Sequence, residues 1–179
     1  MKKTSSKISV SRLGSDFFNR DVLLVAPELI NKIIVRKFPD GTITRSRITE
    51  TEAYRGEEDL ACHASKGRTP RTDILYFEGG KIYVYLIYGM YQMLNFVTAA
   101  ENDPQAVLIR GIEGFKGPGK LTKHLQIDKS FYGENLALSD RLWIEDDGNP
   151  PEYFTGPRVG IDYAGIWKEK PWRFILPSQ

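Results

Sequence analysis

The sequence predicts one α+β domain built on a curved antiparallel β-sheet with a few helices. The chain has 179 residues, about the size of one domain, and 41% of them are apolar while 27% are charged. Most apolar segments are short, rich in β-branched or aromatic residues, and end at Gly or Pro, as strands do. No repeat or linker divides the chain, so we predict one domain over residues 1–179, with residues 1–12 as a mobile N-terminal tail.

The first predicted elements are a helix and a β-hairpin. Apolar side chains have helical spacing over residues 16–30, and Asn31 suits the left-handed position that ends a helix. The Pro-Asp-Gly sequence at 39–41 is a turn signal because it combines a preset φ, a backbone-bonding side chain and a residue free to take positive φ. It separates strands predicted over residues 32–38 and 42–54.

The remaining elements are strands separated by loops. Residues 55–80 are rich in Gly and Pro, with a short helix predicted over residues 71–77. Gly89 interrupts a tyrosine-rich strand region. Composition predicts strands over residues 81–88, 92–100, 106–114, 141–147 and 171–176, and a loop that opens a short helix over residues 117–128.

Net charge, cysteine content and the length of the apolar runs bear on which class of protein this is. The net charge is 25 − 23 = +2, which neither demands nor forbids nucleic acid. The single cysteine cannot form an internal disulfide, so a reducing compartment is expected. No apolar run approaches the ~18 residues of a membrane span, and the basic start lacks the apolar region of a signal peptide. We therefore expect a cytoplasmic protein without membrane contact.

Glu50, Glu52 and Tyr54 alternate along a predicted strand, which puts them on one face. Two carboxylates on one face repel each other and tend to raise one pKa, as a general base or acid requires. The same pattern is more often a solvated strand face with threonines turned inward, and both interpretations stay open.

Cys62 and His63 are adjacent and raise the question of a nucleophile or a metal pair. The only other histidine is His124, and the chain has no second cysteine, so a zinc site is not expected. A histidine in such a loop is more often a hydrogen-bonding residue than a ligand.

Tyr83 and Tyr85 share a strand face, whereas Tyr88 has the opposite parity and lies at the Gly89 break. These tyrosines form either an aromatic core or a stacking platform with a wedge for nucleic-acid bases.

Asn95 and Arg110 are polar side chains within otherwise apolar strands. Such a group needs hydrogen-bond partners or faces a functional site. An edge strand that faces solvent is the competing interpretation.

Taken together, these segments resemble the alkyladenine (3-methyladenine) DNA glycosylase family. The similarity runs from residue 17 to residue 174, with all blocks in order and at compatible spacing. Its most specific blocks are Glu50-Thr-Glu-Ala-Tyr54, residues 83–91 followed by Asn95, and residues 107–110, 117–121, 158–161 and 170–174.

The resemblance implies a compact α+β enzyme that initiates base excision repair. It implies hydrolysis of the N-glycosidic bond of damaged purines, such as 3-methyladenine, 7-methylguanine or hypoxanthine, in double-stranded DNA. It further implies a monofunctional glycosylase that needs no cofactor and no metal. The expected partner is double-stranded DNA with a damaged purine, bound by a monomer in a bacterial cytoplasm.

Individual roles follow by position from the same resemblance. Glu52 matches the base that activates the attacking water, and Arg110 matches an arginine that holds this water and the phosphate backbone. Tyr88 matches the side chain inserted where the target nucleotide leaves the helix, and Asn95 matches the residue that crowds the 2-amino group of guanine. The residues that form the walls of the family's base pocket correspond to Tyr54, His63 and Tyr85 of this sequence.

Further DNA contacts are expected from Tyr91, Lys120 and Arg158. The basic residues between 116 and 129 are equally typical of a solvated helix face. Two other classes compete with the glycosylase interpretation, namely a non-catalytic nucleic-acid binder, which would not need Glu52, and a small-molecule glycosidase, which would not need Tyr88. The presence of both residues favours a DNA glycosylase.

Overall fold

The computed structural model describes residues 10 to 177, in which a ten-stranded sheet carries three short α-helices. All strand pairs are antiparallel, which confirms the predicted α+β class. The strands are β1 (Ser11–Arg12), β2 (Ile33–Lys37), β3 (Ile43–Arg55), β4 (Ile82–Ile87), β5 (Tyr91–Thr98), β6 (Gln105–Ile112), β7 (Phe115–Lys116), β8 (Leu142–Asp146), β9 (Phe154–Gly156) and β10 (Arg173–Ile175). The helices are α1 (Ser15–Phe18), α2 (Val22–Glu28) and α3 (Pro118–His124), and 3₁₀ turns cover His63–Lys66, Asp73–Tyr76, Lys129–Phe131 and Asp162–Glu169.

The long strand β3 organises the sheet, whose main order is β1-β8-β2-β3-β6-β5-β4. The first half of β3 pairs with β2 and its second half with β10, whereas β6 pairs along the opposite edge. The ladder between β3 and β6 is irregular between Ile48 and Thr51. Such irregularities bend a strand and redirect its side chains, and this one lies beside Glu50 and Glu52.

The helix predicted over residues 16–30 is wrong as one element, because the chain forms α1 and α2 with a break between them. Asp21 is extended (φ −52°, ψ 135°), and its side chain accepts a hydrogen bond from the backbone N–H of Leu23. An Asp in this position begins a new helix instead of continuing the previous one. The left-handed conformation predicted for Asn31 is confirmed, since its φ is +70°, but α2 already ends at Glu28 with Leu29 as its C-cap.

Ser11 and Arg12 form strand β1, so the predicted mobile tail does not extend over the whole of residues 1–12. Ser11 and Arg12 pair with β8, and the Arg12 guanidinium donates to the carbonyl oxygens of Leu136 and Ser139. The guanidinium also lies over the Trp143 ring. Residues 1–9 lie outside the described part of the chain, so the prediction stands untested there.

The two larger of three groups of buried apolar side chains in residues 10–177 support the sheet. The larger group joins α1, α2 and α3 to the strands and includes Phe18, Leu94 and Phe96. The smaller group lies under the loop of residues 56–80 and includes Leu75 and Tyr83. That loop forms a 3₁₀ turn over Asp73–Tyr76 where a short helix over 71–77 was predicted. Across residues 10–177, no helix is long and apolar enough to cross a membrane.

Candidate active site

Glu52 lies between β10 and β6 in the middle of β3, with its side chain fully buried. The Tyr54 hydroxyl donates to its Oε2 (2.7 Å), and the backbone N–H of Val159 donates to its Oε1 (2.8 Å). The Nε of Arg110 lies 3.5 Å from the same Oε1. Burial raises the pKa of Glu52, while Arg110 and the two hydrogen bonds oppose that rise.

Glu50 lies two residues earlier on the same face, as the strand alternation predicts. Its Oε1 accepts hydrogen bonds from the Nε of Arg173 (2.6 Å) and the Nε of Arg110 (3.0 Å). Because these arginines neutralise Glu50, its repulsion is the weakest of the causes that shift the pKa of Glu52. The predicted repulsion between the two carboxylates does contribute to the raised pKa of Glu52, but burial is the main cause.

An aromatic pocket opens beside Tyr54, whose hydroxyl binds Glu52. It brings together Tyr54, His63, Tyr85 and Asn95, which the sequence analysis placed at the base site. Its remaining lining residues are Ala61, Cys62, Leu75, Tyr83 and Ala106. Burial raises the pKa of the Cys62 thiol to about 12, so this cysteine stays a neutral, apolar part of the wall.

His63 forms one wall of this pocket and is fixed by its neighbours. Its Nδ1 is 2.8 Å from the Tyr83 hydroxyl, and its ring meets the Tyr85 ring edge-on at a centroid distance of 4.6 Å. Burial and the nearby Arg71 lower the pKa of His63 to about 4. The imidazole is therefore neutral at pH 7, which suits a pocket wall better than an acid.

Asn95 lies on β5 and is buried within the sheet. Its side-chain nitrogen donates to the carbonyl oxygens of Tyr83 and Met93, at 3.3 Å each. These bonds to the backbone hold the amide at the pocket wall. The edge-strand interpretation is therefore wrong, because β5 has a partner on each side.

A wider cleft of about 960 Å³ connects the pocket wall with Tyr88, Arg110, Val159 and Tyr163. Tyr88 is 86% exposed at the tip of the hairpin between β4 and β5. Both Tyr88 (φ +50°) and the following Gly89 (φ +65°) have left-handed backbone conformations. Positive φ at both positions is the geometry of a tight type I′ hairpin turn, which holds the Tyr88 ring out from the protein.

Tyr91 and Lys120 lie near each other at the start of α3. The Tyr91 ring lies so close to Gly119 that a Cβ at that position would come within 2.6 Å of it. Lys120 is exposed and lines a third cavity, of about 1530 Å³, together with Glu50 and Arg173. Both side chains are thus exposed, and Lys120 lies at the cavity that Glu50 lines.

The prediction that Arg158 contacts DNA is wrong. Its side chain is completely buried and donates to both carboxylate oxygens of Asp59 (2.5 and 2.8 Å). It also donates to the carbonyl oxygens of Ala53 and Trp167 (2.9 and 3.2 Å) and packs against the Tyr54 ring. A phosphate cannot reach this guanidinium, which supports the pocket wall from behind.

Sequence reasoning missed several residues that form this site. The backbone N–H of Val159 has no sequence signal, because any residue except proline could supply it. Asp59 and Arg173 are distant in sequence from their partners, and only the fold brings them together. Within residues 10–177, no group of three or more His, Cys, Asp or Glu side chains is arranged to hold a metal ion.

Comparison with known proteins adds independent information. The family model described as methylpurine-DNA glycosylase matches residues 16–116 and 114–179. A Psychrobacter cryohalolentis protein named "Putative 3-methyladenine DNA glycosylase" is 44% identical, with 96% of this chain and 94% of the relative aligned. Relatives of the same name from Desulfitobacterium hafniense and Methanocella arvoryzae are 43% and 42% identical, over 93% and 90% of this chain and 96% and 90% of their own.

The matched segments contain the residues that form the site just described, from Glu50 and Glu52 on β3 to Arg173 on β10. The alignments cover nearly the full length of both partners, so the similarity extends to the whole fold and not to one motif. This chain belongs to the methylpurine-DNA glycosylase family.

Proposed function

We propose that this protein removes alkylated purines from double-stranded DNA by hydrolysing the N-glycosidic bond, with Glu52 as the general base. One observation carries the proposal, namely a buried carboxylate held at 2.7 and 2.8 Å by Tyr54 and Val159 beside an aromatic pocket. Its raised pKa increases its affinity for a proton, and a general base works best when its pKa approaches the working pH.

In the proposed reaction, Glu52 accepts a proton from water as the water oxygen attacks C1′ of the sugar. The bond from C1′ to the base nitrogen breaks, and its electron pair leaves with the base. A purine alkylated at N3 or N7 is cationic, so it departs as a neutral molecule. The negative charge of Glu52 also stabilises the oxocarbenium-like sugar that develops during bond breaking.

The pocket favours a cationic, flat base. The rings of Tyr54 and Tyr85 line it, and each face attracts a cation by ~0.5–2 kcal/mol. Asn95, held by the backbone, is proposed to crowd the 2-amino group of guanine and so to reject the undamaged base. Neutral His63 forms the remaining wall without repelling a positive base.

The target base must leave the duplex to reach this pocket, which costs a few kcal/mol. We propose that Tyr88 fills the gap, because it projects from the hairpin tip beside the cleft that leads to the pocket. Arg110 and Lys120 are proposed to contact backbone phosphates, and Tyr91 to contact the DNA beside Tyr88. The nucleic-acid binder and the small-molecule glycosidase each account for only part of this arrangement.

The proposal also includes a monofunctional reaction. A lyase step needs an amine that attacks C1′, and the described residues that line the pocket include no lysine. Lys66 lines a neighbouring cavity that shares His63 with the pocket. Treatment of a reacting mixture with borohydride should therefore trap no covalent protein–DNA adduct, and a trapped adduct would contradict this part of the proposal.

Glu52→Gln tests the central role. The substitution keeps the shape of the side chain but removes the base, so single-turnover excision of 7-methylguanine from duplex DNA should fall by about 10²- to 10⁴-fold. Affinity for the same duplex should change only several-fold, because the glutamine occupies the same space. The matched control is Glu101→Gln, which removes the same charge from an exposed position.

The two measurements separate the possible outcomes. Near-normal excision by Glu52→Gln would exclude it as the base. Duplex binding without any excision by the wild-type protein would instead favour the non-catalytic binder.

A further inference from the structure

Glu50 holds two arginines from strands on opposite edges of β3. Arg173 on β10 and Arg110 on β6 both donate to the same oxygen, Oε1, through Nε. The three side chains are mostly buried, with exposed fractions of 27% for Arg173, 16% for Arg110 and 15% for Glu50. Both guanidiniums are therefore held in place by one carboxylate.

The terminal nitrogens of both guanidiniums remain accessible. Among residues 10–177, none accepts a hydrogen bond from the terminal nitrogens of Arg110 or Arg173. Within residues 10–177, a buried side-chain nitrogen without a hydrogen-bond partner is found in Arg158 but not in Arg110 or Arg173. The terminal nitrogens of Arg110 and Arg173 are therefore open to solvent. Arg158 is different, since both of its terminal nitrogens bind Asp59.

Arg173 lines the cavity of about 1530 Å³ that also contains Lys116 and Lys120. Glu50 lines the same cavity, and its partner Arg110 lines the cleft that leads to the aromatic pocket. The Glu50–Arg110 ion pair therefore lies between the two cavities. The linings of the two cavities contain four basic side chains and two acidic ones, Glu50 and Glu113, so this region has a net positive charge.

We propose that Arg173 binds a backbone phosphate of the substrate DNA next to the extruded nucleotide, and that Glu50 positions it. The inference rests on the proposed function, because it requires duplex DNA at this face. A guanidinium presents its terminal N–H groups in a fixed fork that matches phosphate oxygens. Anchoring of Nε by Glu50 removes much of the rotational freedom that an arginine otherwise loses on binding.

The proposal places the backbone phosphates of one DNA strand in the cavity that Lys116 and Lys120 line. A strand that passes Arg110 at the mouth of the pocket reaches Arg173 by crossing Glu50. The lysines then contribute point charges along the wall, whereas Arg173 contributes a directed contact. The carboxylate of Glu50 is already shared by two arginines, which limits its repulsion of a nearby phosphate.

The experiment measures binding of a duplex with a tetrahydrofuran abasic-site analogue, which the enzyme cannot hydrolyse. Each phosphate near the analogue is replaced in turn by a neutral methylphosphonate, and binding is measured for the wild type and for Arg173→Gln. The salt dependence of binding is measured for both proteins on the unmodified duplex. Arg45→Gln is the matched control, because Arg45 is 53% exposed and pairs with Glu145 outside this cavity.

We expect Arg173→Gln to lower the slope of log K against log salt by about 0.9, the value for one lost phosphate contact on B-DNA. One methylphosphonate should weaken wild-type binding several-fold and have no further effect on Arg173→Gln. The control should keep the wild-type slope and the full effect of every methylphosphonate. Retention of the slope by Arg173→Gln, or equal losses for both proteins at every linkage, would overturn the proposal.

The wild-type scan keeps the proposal testable if Arg173→Gln does not fold. If no methylphosphonate beside the abasic-site analogue weakens binding by the wild type, the proposal is overturned without any variant. Failure here is distinguishable from failure of the proposed function. In the first case the wild type still binds the duplex and excises 7-methylguanine, whereas in the second it does not excise 7-methylguanine.

Discussion

The individual polar side chains of this site are buried and are held by hydrogen bonds to neighbouring groups. An unpartnered buried polar group costs several kcal/mol, so each one needs hydrogen bonds. Glu52 has two hydrogen bonds and a nearby guanidinium, and Asn95 has two backbone carbonyl partners. Asp59 binds both terminal nitrogens of Arg158, and neither side chain has exposed surface, although the buried Arg158 Nε has no hydrogen-bond partner within residues 10–177. The site is therefore held rigidly before any DNA is bound.

Asp59→Asn is expected to destabilise the fold by about 3–5 kcal/mol, because it leaves the buried Arg158 charge without its counter-ion. The new side-chain amide at position 59 would also direct its N–H donors toward the N–H donors of the Arg158 guanidinium. The matched control is Asp73→Asn, which breaks an exposed pair with Arg68 whose side chains are 45% and 46% exposed. That change should cost no more than about 1 kcal/mol. Urea unfolding of both variants provides the comparison, and equal losses would contradict the ranking.

Asn95→Ala tests the proposed selectivity of the pocket. Removal of the amide opens space where the 2-amino group of guanine is expected, so release of undamaged guanine should rise relative to hypoxanthine. Exclusion of one small group is worth only ~1–3 kcal/mol, a change of roughly 5- to 150-fold in that ratio. Competition between the two bases in otherwise identical duplexes measures it. An unchanged ratio in a folded variant would count against the role of Asn95.

Among the structural elements, the hairpin of β4 and β5 has two separate tasks. Its strands supply Tyr83, Tyr85 and Asn95 to the pocket, whereas its turn supplies Tyr88 to the cleft. Positive φ at Tyr88 is unfavourable for a bulky residue, and its persistence at an exposed tip is typical of a functional position. One tight turn thus places the pocket and the proposed wedge at a fixed separation.

Tyr88→Ala should weaken extrusion of the target nucleotide without changing the number of phosphate contacts. A fluorescent base analogue at the target position reports extrusion, and its signal at saturating protein should fall. The salt slope of binding should stay the same, because the tyrosine carries no charge. Leu138→Ala is a control at a similarly exposed apolar side chain, 81% accessible and distant in sequence. A changed slope with normal extrusion would identify Tyr88 as a backbone contact instead of a wedge.

The stability of the whole molecule should depend on pH through His63. Its pKa is about 4 in the folded protein and near 6.5 when unfolded, so between these values the unfolded chain binds the extra proton. The contribution is complete above pH 6.5 and is lost as the pH falls toward 4. Its size is at most about 3 kcal/mol.

Urea unfolding of the wild type and of His63→Gln between pH 4 and pH 7 measures this contribution. The glutamine does not titrate, so the difference in unfolding free energy between the two proteins should shrink steadily as the pH falls. Parallel curves for the two proteins would show that His63 has an ordinary pKa in the folded state.

The amino-acid sequence by itself determined the class of the fold and most strands, and its family resemblance named four residues that line the aromatic pocket. Strand alternation depends only on neighbours in the chain, so it placed Glu50, Glu52 and Tyr54 on one face. The turn signals at residues 39–41 and at Gly89 are local for the same reason. The helix over 16–30 failed because the capping side chain of Asp21 outweighed the apolar spacing.

Only the tertiary structure decided which charged residues line the open cavities. Arg158 and Arg173 lie in similar sequence surroundings, yet one is buried against Asp59 and the other ends in an open cavity. The difference depends on partners about 100 or more positions away in the chain. The main source of the raised pKa of Glu52 is burial, which likewise arises from packing of β10, β6 and Val159 around it. Long-range contacts of this kind have no periodicity or local signal, so the sequence pointed to Arg158 but not to Arg173, and only the fold separated the two.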